Sequence, residues 1–295
     1  MKQKSARLAA KENSMKVLFF LCGIVTVAFV LCICIYLIVS GVPAIGKIGF
    51  SDFFLGKVWK PTATTVEPSY GILPFILTSL CGTAGAVILG VPIGLLTAVF
   101  LAKVAPPKVA DLIRTAVQLL AGIPSVVYGL VGMIVLVPAI QKLFDLSSGA
   151  TLLAAIVVLA IMILPSIINV SETALRAVPK DYEDASLALG ATELETYFRV
   201  TVPAAKSGIA AAVVLGVGRA IGEAMAVMMV AGNVPNMPTS LFQSVRFLTT
   251  AVASEMSYSS GLQKQALFSI ALVLFLFIML INAALNFFLK GDKAK

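Results

Sequence analysis

The chain has 295 residues, of which 59% are hydrophobic and only 12% are charged. Soluble globular domains carry about 25% charged residues, so this composition excludes an ordinary soluble domain and favours a chain embedded in a bilayer. The same apolar excess excludes intrinsic disorder. The net charge of +8 does not indicate nucleic-acid binding, because the basic residues form short clusters between long neutral stretches.

Two residue types limit the chemistry that the chain can perform. Histidine, the commonest metal ligand and general base, is absent from the sequence. The four cysteines (Cys22, Cys32, Cys34 and Cys81) all lie in apolar stretches and are interpreted as small hydrophobic residues. The sequence therefore predicts no catalytic residue, no metal site and no cofactor bound by this chain.

Six apolar stretches are long enough to cross about 30 Å of hydrocarbon, which takes roughly 20 helical residues. They predict an all-α, polytopic membrane protein with spans at about 17–40, 71–102, 115–141, 147–171, 207–232 and 265–289. A segment at 1–16 precedes this domain of 17–289, and a tail at 290–295 follows it. The first stretch is longer than the apolar core of a cleaved signal peptide, which favours an uncleaved span.

The basic residues predict the orientation of these spans. With both termini in the cytoplasm, the inner segments hold fifteen lysines and arginines and the outer segments hold six. Basic residues are concentrated in cytoplasmic loops, so we expect both termini, the tail and the segment 172–206 on that side of a cell membrane.

Two outer loops have distinct patterns. The loop 41–70 contains Phe50, Phe53, Phe54 and Trp59, which favour the membrane–water interface and predict a short interfacial helix. In the loop 233–264, we expect a short helix within 241–256. Two GxxxG pairs, Gly90–Gly94 and Gly218–Gly222, indicate closely packed helices.

The inner segment between the fourth and fifth spans has strong local signals for a helical hairpin at 180–203. A helix is predicted from Lys180, with Gly190 ending it in the left-handed conformation. Thr192 and Glu195 form a potential capping box for a second helix, and Pro203 marks the boundary before the fifth span. From these residues alone, a docking element and a simple connector remain equally supported.

The hairpin resembles a known motif. Asp184-Ala185-Ser186, three residues, Gly190, nine residues and Val200-Thr201-Val202-Pro203 are similar to the EAA motif of ABC importer permeases, E-A-A-x3-G-x9-I-x-L-P. The resemblance implies the type I permease fold and a coupling helix that docks on a separate ATP-hydrolysing subunit. We therefore call the segment 180–203 the coupling hairpin. The chain itself has no GxxxxGK[ST] phosphate loop. The residues assigned to coupling are Asp184, Ala185, Ser186, Ala188, Leu189, Gly190 and Pro203.

Longer stretches resemble one branch of these importers. Leu120–Gly129 in the third span, Gly218–Val227 in the fifth, and Tyr70–Pro74 before the second resemble the phosphate (Pst-type) importer permeases over nearly the whole chain. This resemblance implies a second, unlike permease subunit, two copies of an ATP-binding subunit, an external phosphate-binding protein and a bacterial inner membrane. ATP would be used by the partner subunit.

Arg219 and Glu223 interrupt the fifth apolar stretch, four residues apart, and are expected to share a helix face and to pair with each other. A charge at the centre of the bilayer costs at least about 2.5–3.5 kcal/mol, so such residues are commonly functional. We therefore expect Arg219 to bind phosphate in transit and Glu223 to hold Arg219 when the path is empty. A purely structural ion pair is the alternative.

Pro124 removes one backbone hydrogen bond from the third span, and Ser125 and Tyr128 place hydroxyl groups nearby. These two residues are weaker candidates for the substrate path, since a kink without a substrate role explains the proline as well.

The expected function is therefore half of an ATP-driven phosphate pathway, without covalent chemistry of its own. Rival functions are a permease for another oxyanion such as sulfate or molybdate, an ion-coupled secondary transporter, and a membrane scaffold that transports nothing.

Overall fold

A computed structural model describes residues 2–62 and 67–291. The predicted tail at 290–295 thus lies largely outside the described residues. In the described part, the helices are α1 (Lys2–Ile48), α2 (Phe50–Phe54), α3 (Leu73–Val99), α4 (Pro107–Gly122), α5 (Ser125–Val131), α6 (Val137–Leu143), α7 (Leu152–Arg176), α8 (Lys180–Ala188), α9 (Glu193–Thr196), α10 (Val202–Ala204), α11 (Lys206–Gly222), α12 (Met225–Val230), α13 (Leu248–Glu255) and α14 (Gly261–Gly291). One antiparallel pair, β1 (Trp59–Lys60) and β2 (Ser69–Tyr70), is the exception to an all-helical fold.

Five described helical stretches are long and apolar enough to cross a membrane: Met15–Ile48, Leu73–Val104, Ser125–Leu143, Leu152–Arg176 and Gly261–Ala284. A sixth span results if the pair Glu193–Ala204 and Lys206–Gly222, bent by 72°, counts as one. The predicted fold class of a six-span helical membrane protein is therefore confirmed. The third span begins at Ser125 rather than at 115, because Pro124 separates α4 from α5.

Helices α3 and α7 form the centre of the bundle. Gly90 of α3 faces Ile163 of α7, and Gly94 faces Ile167, so the two helices run in the same direction. A Cβ atom on Gly90 would lie 2.8 Å from Ile163 Cδ1, which shows how closely the two helices approach. Small residues allow this approach, as the first GxxxG pair predicts. By contrast, a Cβ atom on Gly218 or Gly222 would meet nothing within 4 Å.

The parallel course of α3 and α7 gives the bundle two distinct ends. The hairpin end carries the carboxyl ends of both helices and the coupling hairpin, and the loop end carries their amino ends. Helix α11 leaves the hairpin end antiparallel to α7, with Gly208 against Ala174 and Gly216 against Ile167. Arg219 therefore lies about 20 Å along α11 from Lys206.

Three π-helical segments each end two residues before a proline: Phe100–Val104 before Pro106, Gly132–Leu136 before Pro138, and Tyr197–Thr201 before Pro203. Proline lacks the N–H group of a regular helix and its ring crowds the preceding turn. A local change to wider i→i+5 bonding precedes each proline, and the helix continues through Pro138 and Pro203 but ends at Ala105, before Pro106.

At the loop end, buried polar contacts connect the two outer loops. Trp59 is buried, and its Nε1 donates to the Glu255 carboxylate at 3.1 Å. Gln263 Nε2 donates to the same carboxylate at 3.0 Å, and Arg246 forms an ion pair with it. The helix predicted within 241–256 is present but shorter, at Leu248–Glu255.

Candidate functional site

Two helix breaks face each other in the bundle. Helix α4 ends at Gly122 and the chain turns at Ile123, with φ −70° and ψ 128°. Helix α11 ends at Gly222 and the chain turns at Glu223, with φ −71° and ψ 128°. The same backbone conformation thus separates two pairs of consecutive helices, α4 from α5 and α11 from α12, each time directly after a glycine.

The segments that follow the two breaks cross closely. A Cβ atom on Gly129 of α5 would lie 2.8 Å from the Cα atom of Ala226 in α12, so the two backbones are in contact. Arg219 lies in the last turn of α11, three residues before Gly222, where that helix ends. Two of the predicted path residues, Tyr128 and Arg219, therefore lie at the two breaks, and the segments that follow these breaks are in contact.

The first break is stabilised by Tyr128. Its hydroxyl group donates a 2.6 Å hydrogen bond to the carbonyl oxygen of Leu120, which lies on the far side of Pro124. Backbone groups freed by a break at membrane depth need such partners. Ser125 is the first residue of α5 and is half-buried beside the break.

The prediction that Arg219 and Glu223 share a helix face is wrong. The helix ends at Gly222, so Glu223 lies outside it, and no ion pair joins the two described side chains. Instead, Glu223 Oε1 accepts a 3.0 Å hydrogen bond from the Ala226 N–H group, and the Glu223 carbonyl oxygen accepts one from Thr249 Oγ1 at 2.7 Å. Glu223 therefore caps the start of α12 and fixes the break against α13.

The coupling hairpin has the local structure that its sequence predicts. Gly190 has φ +86°, and the N–H groups of Gly190 and Ala191 donate to the carbonyl oxygens of Leu187 and Ser186, which is a Schellman motif. Ser186 Oγ and Thr196 Oγ1 lie 2.9 Å apart and close the hairpin.

The second hairpin helix begins with the predicted capping box. The Glu195 N–H group donates to Thr192 Oγ1 at 3.3 Å, and the Thr192 N–H group donates to Glu195 Oε2 at 3.1 Å. These hydrogen bonds from Thr192, with the nearby Arg199 cation, hold the pKa of the Glu195 carboxyl below its ordinary value. The half of the cap that the Glu195 carboxylate supplies is therefore present at neutral pH and weakens only as the pH falls through that lowered pKa.

The outer surface of the hairpin is unusually apolar. Helix α8 has no buried residue, Leu189 is 90% exposed and Leu194 is 64% exposed. Asp184, Ala185 and Ala188 are exposed as well. Apolar side chains grouped on one surface indicate a covering partner.

Sequence reasoning missed two ion-paired clusters at the hairpin end. One joins Lys103 to Glu183, and the other joins Glu172 to Arg114 and Arg176. The i, i+4 spacing of Glu172 and Arg176 was a signal for the second cluster. The remaining partners are distant in sequence and become neighbours only in the fold.

A bundle of membrane-spanning helices with two helix breaks in contact and a capped, apolar hairpin at one end is typical of a membrane-embedded transport subunit. Residues 90–291 match the family model "Binding-protein-dependent transport system inner membrane component", and the chain belongs to this family. As a permease subunit it is not an enzyme.

Similar proteins with known names show which branch of this family the chain resembles. The chain is 39% identical over 269 residues to "Probable ABC transporter permease protein YqgH" of Bacillus subtilis, covering 88% of this chain and 86% of that protein. It is 36% identical to "Phosphate transport system permease protein PstC" of Pasteurella multocida, covering 77% of each chain. PstC of Haemophilus influenzae is 35% identical, with 82% of each chain covered. The resemblance to Pst-type permeases is thereby confirmed.

Solved structures support the fold. The MetNI methionine ABC transporter in an inward-facing conformation superposes with a TM-score of 0.58 at 22% identity, covering 75% of this chain and 95% of that one. A bacterial ABC transporter involved in alginate import gives 0.58 at 14% identity, covering 74% of this chain and 79% of that one. The type I ABC importer permease fold is therefore confirmed.

Proposed function

We propose that the chain forms half of the transmembrane pathway of an ATP-driven importer of inorganic phosphate. The observation that carries the proposal is Arg219, which lies in the last turn of α11 just before the break whose following helix, α12, crosses α5. A guanidinium group presents donors in a fork that matches the oxygens of phosphate. The names of the PstC relatives support phosphate over sulfate or molybdate as the transported anion.

The structure changes the expected role of Glu223. Its carboxylate is engaged by the N–H group of Ala226, so it does not hold Arg219 through a salt bridge in this conformation. The Arg219 guanidinium is thus available to an anion, while the nearby carboxylate keeps the site from becoming strongly attractive. A transport site must release its ligand, so moderate binding serves it better than tight binding.

The coupling hairpin is the proposed contact with the ATP-hydrolysing partner. Its outward apolar residues, Leu189 and Leu194 above all, would occupy a groove on that subunit. Asp184, Ala185, Ser186, Ala188, Gly190 and Pro203 keep the roles that the EAA resemblance implies. ATP binding in two copies of the partner would move the hairpin and change the accessibility of the pathway.

The remaining assignments complete the complex. A second, unlike permease would close the pathway, and an external phosphate-binding protein would deliver the anion at the loop end. Both chain termini would lie in the cytoplasm of a bacterial cell, in agreement with the distribution of basic residues.

Reconstitution tests this proposal. The chain is purified with its second permease and ATPase subunit, incorporated into liposomes and supplied with the phosphate-binding protein. We expect uptake of labelled phosphate that requires ATP and is not reduced by excess sulfate or molybdate. Phosphate uptake without the ATPase subunit or ATP would overturn the ABC mechanism, and preferential uptake of another oxyanion would overturn the substrate.

A further inference from the structure

The coupling hairpin is tied to the end of α3 by a nearly buried ion pair. Lys103 Nζ lies 2.5 Å from Glu183 Oε1, with 12% and 15% of the two side chains exposed. The same carboxylate oxygen accepts a 3.0 Å hydrogen bond from Thr201 Oγ1. Removing one member of a buried pair leaves the other charge uncompensated, so this contact resists separation.

A second ion-paired cluster, centred on Glu172, lies near the carboxyl end of α3. Glu172 of α7 is 7% exposed, and its Oε1 accepts from Arg114 Nη2 at 2.8 Å and from Arg176 Nε at 2.9 Å. The cluster joins α7 to α4, because Arg114 belongs to the latter helix.

The two clusters meet at the π-helical segment Phe100–Val104. Arg176 Nη2 donates to the carbonyl oxygen of Leu101 at 3.0 Å, and the Tyr197 hydroxyl donates to the carbonyl oxygen of Lys103 at 3.4 Å. One five-residue segment thus contacts the hairpin through Lys103 and the Glu172 cluster through Leu101. Local departures from α-helical bonding often occur where a helix has a functional role.

Helix α4 extends this chain of contacts to the proposed anion site. Arg114 lies eight residues before Gly122, which corresponds to about 12 Å of helix. At that end, the Tyr128 hydroxyl donates to the Leu120 carbonyl oxygen, and Gly129 of the same helix α5 contacts Ala226 of α12, directly after the second break. A displacement of Arg114 would therefore move helix α4 and change the geometry of the break between α4 and α5.

We propose that Phe100–Val104 is a joint that transmits movement of the coupling hairpin to the broken helix pair. Lys103 and Glu183 act as positioning residues on the hairpin side, and Glu172 and Arg114 act on the pathway side. The inference rests on the proposed function, because the hairpin moves only if an ATPase drives it. It goes further by naming the internal contacts that convert this movement into a change at the anion site.

The test compares ATP hydrolysis with phosphate uptake in the reconstituted complex. For Lys103→Met and Glu183→Gln we expect assembly and ATP hydrolysis to persist, while phosphate taken up per ATP falls on the order of tenfold. The double variant Lys103→Glu with Glu183→Lys restores the pair in reverse and should recover most of the ratio. Lys108→Met is the matched control. It removes an exposed lysine five residues after Lys103 and should leave the ratio of phosphate uptake to ATP hydrolysis unchanged.

A second readout is independent of the transported anion. Alkylation of a cysteine introduced by Ser125→Cys, measured against the chain without that substitution, reports on the break itself. We expect its rate to change between nucleotide-free and ATP-bound complexes, and this change to disappear when Glu183→Gln is added.

The outcomes separate the two proposals. An unchanged uptake-to-ATP ratio in Glu183→Gln, or a nucleotide response that survives it, overturns the joint and leaves the proposed function intact. Absence of phosphate uptake in the parent complex contradicts the proposed function. The effect of Glu183→Gln on the nucleotide-dependent alkylation rate still tests whether Phe100–Val104 transmits the movement. If the Lys103→Met complex does not assemble, the test rests on Glu183→Gln alone. That variant should assemble, because glutamine retains the shape of glutamate and an acceptor for Thr201.

Discussion

At the scale of single residues, Arg219 combines a membrane location with an open guanidinium group. A charge at such a depth costs at least about 2.5–3.5 kcal/mol unless protein or water compensates it. In the described part of the chain no carboxylate forms an ion pair with it. The residue is therefore better placed to receive an anion than to lock two helices together.

Replacing Arg219 by lysine tests this role. Lysine keeps the charge but loses the planar, two-pronged donor geometry that suits phosphate oxygens. We expect phosphate transport by Arg219→Lys to fall about 10–100-fold, the equivalent of one strong charge-assisted hydrogen bond, with normal assembly of the complex. Uptake of labelled phosphate by proteoliposomes measures the effect. Parental transport in a correctly assembled Arg219→Lys complex would contradict recognition by a guanidinium fork.

At the scale of helices and turns, short-range signals predicted most of what the structure contains. Gly190 and the Thr192–Glu195 box identified the hairpin because capping bonds connect residues only a few positions apart. The break at Glu223 could not be predicted in this way. Its geometry depends on Thr249, twenty-six positions away, and on the contact of α12 with α5. The Lys103–Glu183 pair was missed for the same reason, since eighty residues separate its members.

The exposure of Leu189 at the turn of the coupling hairpin leads to a prediction about binding of the ATPase subunit. Replacing Leu189 by aspartate puts a charge into the proposed interface without disturbing an internal contact, because the side chain is 90% exposed. Burying an unpaired carboxylate is unfavourable, so we expect ATPase binding to weaken by at least about tenfold while the permease stays folded. Co-purification of the ATPase subunit with the permease provides the measurement.

Tyr258 provides a matched control for this substitution. It is equally exposed, at 90%, but it lies just before α14 at the loop end. Tyr258→Asp should therefore leave ATPase co-purification unchanged. Equal losses of ATPase co-purification in both variants would indicate a general effect on the permease. Unchanged co-purification with Leu189→Asp would show that Leu189 does not lie in the interface.

At the scale of the whole molecule, close contacts at small residues hold the spans together. Lipid chains are as apolar as leucine, so association of helices in a bilayer depends on packing and not on the hydrophobic effect. The two GxxxG pairs have different surroundings in this respect. Gly90 and Gly94 lie in the interface between α3 and α7, whereas nothing lies within 4 Å of a Cβ atom at Gly218 or Gly222.

Alanine substitutions at the two pairs should therefore have opposite effects on stability. Alanine favours helix over glycine by about 1 kcal/mol, so Gly218→Ala should maintain or raise the stability of the purified chain. At Gly90 the new methyl group would lie 2.9 Å from Ile163 Cγ1 and 3.2 Å from the Ala160 carbonyl oxygen. Overpacking of this kind costs about 1–3 kcal/mol, so Gly90→Ala should lower the unfolding temperature. Thermal unfolding in one detergent compares the variants, and a Gly90→Ala chain as stable as Gly218→Ala would show that α3 and α7 do not depend on this close approach.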